Sequence, residues 1–175
     1  MGIRNCADIG ENLRKIVNRL LSNDNLVNLL YYTDANPLEQ PKLNDEEKKT
    51  LIYEKLIKVV PRIGPKETAQ SIVAIRVASG RKDPNNNEFR NISIVVDVVI
   101  PLTQWFIKNE NLRPFLILGE IEKSLEGKTI NGLGKMSGGD FDLNFLTEEI
   151  CCYTQTFNIT AYAWCKNFLK SAARF

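Results

Sequence analysis

The 175-residue sequence contains no histidine. This absence excludes, within the chain, Ser-His-Asp and Cys-His nucleophiles, His-ligated zinc and imidazole acid–base catalysis. No apolar run reaches the roughly 20 residues that a membrane-spanning helix needs. The opening residues 1–6 also lack the apolar core of a secretory signal. The composition therefore points away from the commonest enzyme chemistries, from membrane insertion and from export by that route.

The sequence also lacks a strong charge of either sign, with 23 Lys and Arg against 21 Asp and Glu. Because these charges are spread evenly, no block is basic enough to predict a dedicated nucleic-acid surface. The four cysteines, Cys6, Cys151, Cys152 and Cys165, include no CxxC pair, so a metal site is not expected. Adjacent cysteines rarely reach disulfide geometry. We interpret all four as reduced thiols acting as small apolar side chains, as in a reducing cytoplasm.

Apolar residues recur at helical spacing in four segments, which are 8–21, 26–32, 44–57 and 111–126. Asp8 fits the N-cap of the first helix. Pro114 fits the first turn of the last helix, and Gly127 fits its end. The segment 164–175 reads as a short helical tail with a basic end.

Alternating apolar and polar residues predict strands over 58–63, 70–79, 89–100, 128–133 and 150–162. The second and third strands are expected to form an antiparallel hairpin with a long polar loop, 80–88. Gly134 to Asp142 reads as a glycine-rich loop. Asp97 lies in the middle of the strongest strand and needs solvent or a partner, for which Arg76 on the preceding strand is well placed.

These elements predict one α+β domain over 1–175, with a mostly antiparallel sheet that contains a long β-hairpin. N-terminal helices, 8–57, and one central helix flank the sheet. The sheet core is expected over 58–162 and a C-terminal tail over 163–175.

The sequence does not meet the requirements of a phosphate-binding loop, a calcium-binding loop or a base-stacking surface. A phosphate-binding loop ending at Gly127-Lys128-Thr129 would need a glycine at position 122, which is Glu122. Asp140 and Asp142 lack the calcium-loop pattern, so we interpret them as solvated. The aromatic residues Trp105, Phe106, Tyr162 and Trp164 are not accompanied by a basic groove, and core or interface packing is the better interpretation.

The order of elements nevertheless resembles a family. A helix runs into a short strand at Val60-Pro61-Arg62-Ile63, then come the long hairpin over 70–100, the helix over 111–126, a short strand, a loop and a last strand at Gln155–Thr160. This layout resembles the tail-terminator and neck proteins that join head to tail in tailed bacteriophages and related contractile particles. The resemblance covers about 8 to 162. The helix at 44–57 and the residues after 163 depart from the minimal pattern.

The resemblance implies a structural virion protein, assembled in the host bacterial cytoplasm, with no catalytic site and no cofactor. Its implied partners are other copies in a ring, usually hexameric, the tail-tube protein, and a neck or head-connector protein, with DNA close by in the lumen. In such a ring, loops and sheet edges meet neighbouring subunits. The two glycine- or charge-rich loops are therefore expected to supply inter-subunit contacts, through Arg81, Lys82, Asn86, Gly134, Lys135, Gly138 and Gly139. Deleting 134–139 is expected to impair assembly and to leave the fold intact.

Two other functions stay open. The chain could be a monomeric or dimeric protein-binding module of a phage or bacterium, which uses a sheet face. It could also be an enzyme that works with carboxylates, lysine or cysteine, centred on Asp97 or on Cys151 and Cys152. An unusually reactive thiol at neutral pH would indicate the enzyme.

Overall fold

The computed structural model describes residues 6–60, 70–86, 89–130 and 133–162. Helices form the first part of the chain. Helix α1 spans Cys6–Leu21 and α2 spans Asp24–Tyr31. Asn23 ends the break between them, because its side chain accepts a hydrogen bond from the backbone N–H of Leu26. The predicted helices over 8–21 and 26–32 are confirmed. Asp8 lies in the first turn of α1 rather than at its N-cap.

The helix predicted over 44–57 is wrong beyond Ile52. A capping box between Asn44 and Glu47 starts α3, Asp45–Glu47, which continues as a π-helical turn, Lys48–Ile52. Glu54 then adopts a positive φ of 61°, which ends any helix. The following residues bury their apolar side chains in the sheet, and this tertiary pairing outweighs the local helical spacing.

Six strands form one sheet in the order β1-β2-β3-β6-β5-β4. Their bounds are Ile57–Val59, Ile72–Lys82, Phe89–Pro101, Thr129–Ile130, Gly134–Thr147 and Ile150–Tyr162. The β1–β2 pair is parallel, and the other pairs are antiparallel. The predicted α+β fold, the β2–β3 hairpin and the return of the last strand onto that hairpin are confirmed.

The strand predicted over 58–63 is confirmed only for β1. Its second half, 61–63, and the tail 163–175 lie outside the described residues. The short strand predicted over 128–133 is observed as the two-residue β4.

The predicted glycine-rich loop at 134–142 is wrong, because this segment is the first part of the 14-residue strand β5. Glycine lowers intrinsic strand propensity, and the sequence lacks clean alternation here. Antiparallel pairing with the 13-residue strand β6 forms the strand nonetheless.

Helix α4, Arg113–Leu125, packs against β3 and β5 and joins α1 and α2 on one face of the sheet. Pro114 lies in its first turn as predicted. Its first residue, Arg113, is fully buried and donates hydrogen bonds to four backbone carbonyls. These belong to Leu29, Tyr32, Asp34 and Gln104. Arg113 therefore ties the end of α2 and the loop after it to the start of α4, where a cation also complements the dipole of α2.

Candidate interaction surface

A β-bulge in β5 determines which of its side chains face the helices. Gly138 pairs with Phe157, and the next pair along the strand is Asp140 with Thr156, so Gly139 is the extra residue. Both glycines have positive φ, 132° and 106°, a conformation that disfavours side chains. Without the extra residue, alternation would place Asp140 and Asp142 on the helix-covered face.

The bulge instead places three large apolar side chains on that face. Phe141, Leu143 and Phe145 lie opposite Gln155, Tyr153 and Cys151 of β6, and directly opposed residues share a face. These three side chains remain 48%, 46% and 70% exposed. They form a row along the edge of the sheet.

Helix α4 extends this row with Phe115, which is also exposed. The rings of Phe115, Phe141 and Tyr153 have centroids 5.4–6.2 Å apart in tilted or edge-on arrangements, the geometry of favourable aromatic pairs. Only Tyr153 of the three is buried. We call the exposed set Phe115, Phe141, Leu143 and Phe145 the aromatic edge.

The aromatic edge lies on an open strand. Within the described residues, the outer side of β5 pairs with β4 at Gly134 and Lys135, and Met136 adds backbone hydrogen bonds with Gly127 and Lys128. The rest of β5 presents unpaired backbone groups, which proteins usually protect or use for association. A run of exposed apolar side chains on such an edge is typical of an interaction site.

Acidic residues lie close to the aromatic edge, Asp140 and Asp142 on the opposite face of β5 and Glu148 and Glu149 in the turn that follows it. The stretch 136–165 contains four acidic residues and no Lys or Arg. The acids are Asp140, Asp142, Glu148 and Glu149, and all four are exposed. Any partner of this edge therefore gains from carrying positive charge.

The contact residues predicted from the sequence occupy two places. Arg81 pairs with Asn91, which in turn pairs with Thr160, and Gly134 lies against the Thr160 carbonyl. The hairpin tip and the start of β5 therefore lie at one end of the sheet, three strand spacings or about 14 Å apart. Exposed side chains at this end include those of Arg81, Lys82, Asn86 and Lys135.

Gly138 and Gly139 lie farther along β5, in the bulge. Because residues 134–139 pair with β4 and β6, their deletion would remove part of the sheet. The expectation that this deletion leaves the fold intact is inconsistent with the structure. Sequence reasoning missed the aromatic edge, because its signal, Phe-x-Leu-x-Phe at alternate positions, follows directly on the glycines.

The proposed enzymatic centre is a structural cluster. Asp97 accepts hydrogen bonds from Arg76 Nε and Nη2, at 2.8 and 3.1 Å, and from Thr154 Oγ1 at 2.8 Å, which confirms the predicted Arg76 partner. Burial, followed by the nearby Asp97 charge, raises the pKa of Cys152 to about 11. A thiol with a raised pKa is mostly protonated at neutral pH, the opposite of an activated nucleophile.

Among residues 6–60, 70–86, 89–130 and 133–162, no three Asp, Glu, Cys or His side chains are grouped so that they could hold a metal ion. No helix in those ranges has the length and apolar character needed to cross a bilayer.

The YomW family model matches residues 23–159. The chain belongs to the YomW family. No curated protein matches it. Among solved structures, it is similar to a chain of the virion of a native gene transfer agent particle, with a TM-score of 0.43 and 12% identity. That match covers 62% of this chain and 79% of the other. This YomW protein and the virion chain thus share a limited similarity.

Proposed function

We propose that this YomW protein is a non-enzymatic structural subunit of a phage or phage-like virion, which acts by binding other protein subunits. The observation that carries the proposal is the aromatic edge, an open, apolar and acid-flanked strand at the border of a large sheet. Such an edge favours aggregation when the protein is a free monomer, whereas it is covered and contributes to binding when the protein is a subunit of an assembly. The resemblance of the element order to head-to-tail joining proteins of tailed phages agrees with this role.

Within that role, we propose a ring subunit at the junction of head and tail, as a tail terminator or neck protein. The order of elements supports this position. The two ends of β5 offer different surfaces, a basic and polar end near the hairpin tip and an acidic, aromatic end near Phe145. Different surfaces on one subunit suit head-to-tail association, which closes into a ring when the rotation between subunits allows it.

The experiment is light scattering of the purified protein at several concentrations, alone and after incubation with tail tubes or tailless heads. A closed ring, or a monomer that becomes bound to particles, supports the proposal. A monomer or dimer that binds neither particle component overturns it, and then favours the protein-binding module.

A further inference from the structure

Residues 163–175 have the chemistry to cover the aromatic edge. This segment, which we call the tail, contains Lys166, Lys170 and Arg174 and no acidic residue. It lies outside the described residues. Its three positive charges complement the four exposed acids that flank the edge, and such complementarity steers association.

The tail is also amphipathic at helical spacing. Its apolar stripe is Trp164, Phe168, Ala172 and Phe175, and its basic residues recur every four positions on another side. Residues four apart on a helix are about 6 Å apart along the axis. Alternate residues on a strand are about 6.7 Å apart. The stripe therefore matches the spacing of Phe141, Leu143 and Phe145, and helices commonly dock apolar stripes on apolar surfaces in this way.

We infer that the tail of one copy docks as an amphipathic helix on the aromatic edge of a neighbouring copy. This inference rests on the proposed function, because it gives the ring its subunit contact. As a helix, residues 164–175 would be about 18 Å long. Leu143 lies opposite Tyr153, nine residues or about 30 Å back along β6 from Tyr162. Such a helix would therefore not span the distance to Leu143 in its own copy.

Electrostatic repulsion disfavours a dimer in which the β5 edges of two copies pair about a two-fold axis. This pairing would bring Asp140 and Asp142 of each copy close to the acidic residues of the other. Like charges brought together in this way repel each other. A basic occupant from elsewhere in the chain, applied head to tail, avoids this repulsion.

The test uses full-length variants and a fluorescent peptide of residues 163–175. Phe168→Glu inactivates the protein's own tail and leaves its aromatic edge free. We expect this variant to bind the peptide, with at least tenfold weaker binding in 500 mM than in 50 mM NaCl. Adding Phe145→Asp should weaken binding at least tenfold. Phe145 is 70% exposed, so this change should not disturb folding, which urea unfolding checks.

The matched control adds Val59→Asp to Phe168→Glu. Val59 is 45% exposed on β1, at the opposite border of the sheet, and we expect unchanged peptide binding. Equal binding to the Phe145→Asp protein, or no binding to any variant, overturns the inference.

Mixing two variants tests whether the tail of one copy binds the aromatic edge of another. Phe168→Glu protein supplies a free edge and Phe145→Asp protein supplies an intact tail, so the two should form a 1:1 complex by light scattering while each alone does not. If the complex does not form, the inference that the tail docks on a neighbouring copy is wrong. A wild-type protein that still binds particles would then leave the proposed function standing, whereas peptide binding without particle association would reject the proposed function alone.

Discussion

Gly138 lies so close to Thr156 that a Cβ atom on the glycine would be 2.5 Å from the Thr156 carbonyl oxygen. The close approach coincides with a φ of 132°. Together they make the bulge in β5 dependent on glycine. The orientation of the aromatic edge follows from the register shift at this bulge.

Gly138→Ala should lower the free energy of unfolding by about 2 kcal/mol, because the new Cβ meets backbone in a strained conformation. The matched control is Gly119→Ala in α4, where a Cβ would have nothing within 4 Å. That variant should be stabilised by up to about 1 kcal/mol. Urea unfolding measures both, and equal stabilities of the two variants would show that the bulge does not require Gly138.

Arg113→Met should lower the free energy of unfolding by about 3 kcal/mol. The methionine fills similar space but leaves the carbonyls of Leu29, Tyr32, Asp34 and Gln104 without their donor. Burial lowers the pKa of Arg113, which reflects the cost of its desolvation. Lys123→Met, an exposed change on the same helix, should stay within about 0.5 kcal/mol. Similar losses in both variants would argue against a special role for Arg113.

The thiols of Cys151 and Cys152 should resist alkylation at pH 8 in the folded protein. Burial raises both pKa values, that of Cys152 to about 11, so little thiolate forms. The experiment needs a Cys6→Ser, Cys165→Ser background. Since the folded protein holds these protons more tightly than the unfolded chain, stability should fall as the pH rises from about 9 to 11. Rapid labelling at pH 8 without unfolding would instead support the hypothesis of an enzyme centred on Cys151 and Cys152.

Asp24→Asn should cost about 1 kcal/mol of stability at neutral pH. Asp24 accepts from Lys48 Nζ at 2.6 Å and from Lys42 Nζ at 2.9 Å, and the Lys48 hydrogen bond, then that from Lys42, lowers its pKa below 3.8. A lowered pKa means that this stabilisation is present above the unfolded value and is lost as the pH falls through the folded value. The wild-type protein should therefore lose its advantage over the variant below about pH 4.

The control for Asp24 is Asp142→Asn, an exposed change on β5. It should leave both the neutral stability and its acid dependence close to those of the wild type. Unfolding monitored between pH 2 and pH 7 distinguishes the cases. An unchanged acid profile in Asp24→Asn would show that the Asp24–Lys48 pair contributes no net stability.

The sequence by itself determined the elements whose local pattern and tertiary environment agree. Strict alternation gave β3 and β6 their bounds, and Pro114 positioned the start of α4. The Arg76–Asp97 pair was predictable because a carboxylate inside a buried strand needs a partner. The α+β class followed from the order of these elements.

Only the tertiary structure decided β5, the end of α3 and the burial of Arg113. The glycines of β5 disfavour a strand locally, but pairing with β6 forms it, and their freedom at positive φ creates the bulge. That bulge changes which side chains face the helices, so the alternation of Phe141, Leu143 and Phe145 does not by itself show which face of the sheet they occupy. Arg113 is buried because carbonyls from two segments distant in sequence, 29–34 and Gln104, converge on it, and such convergence exists only once the chain has folded.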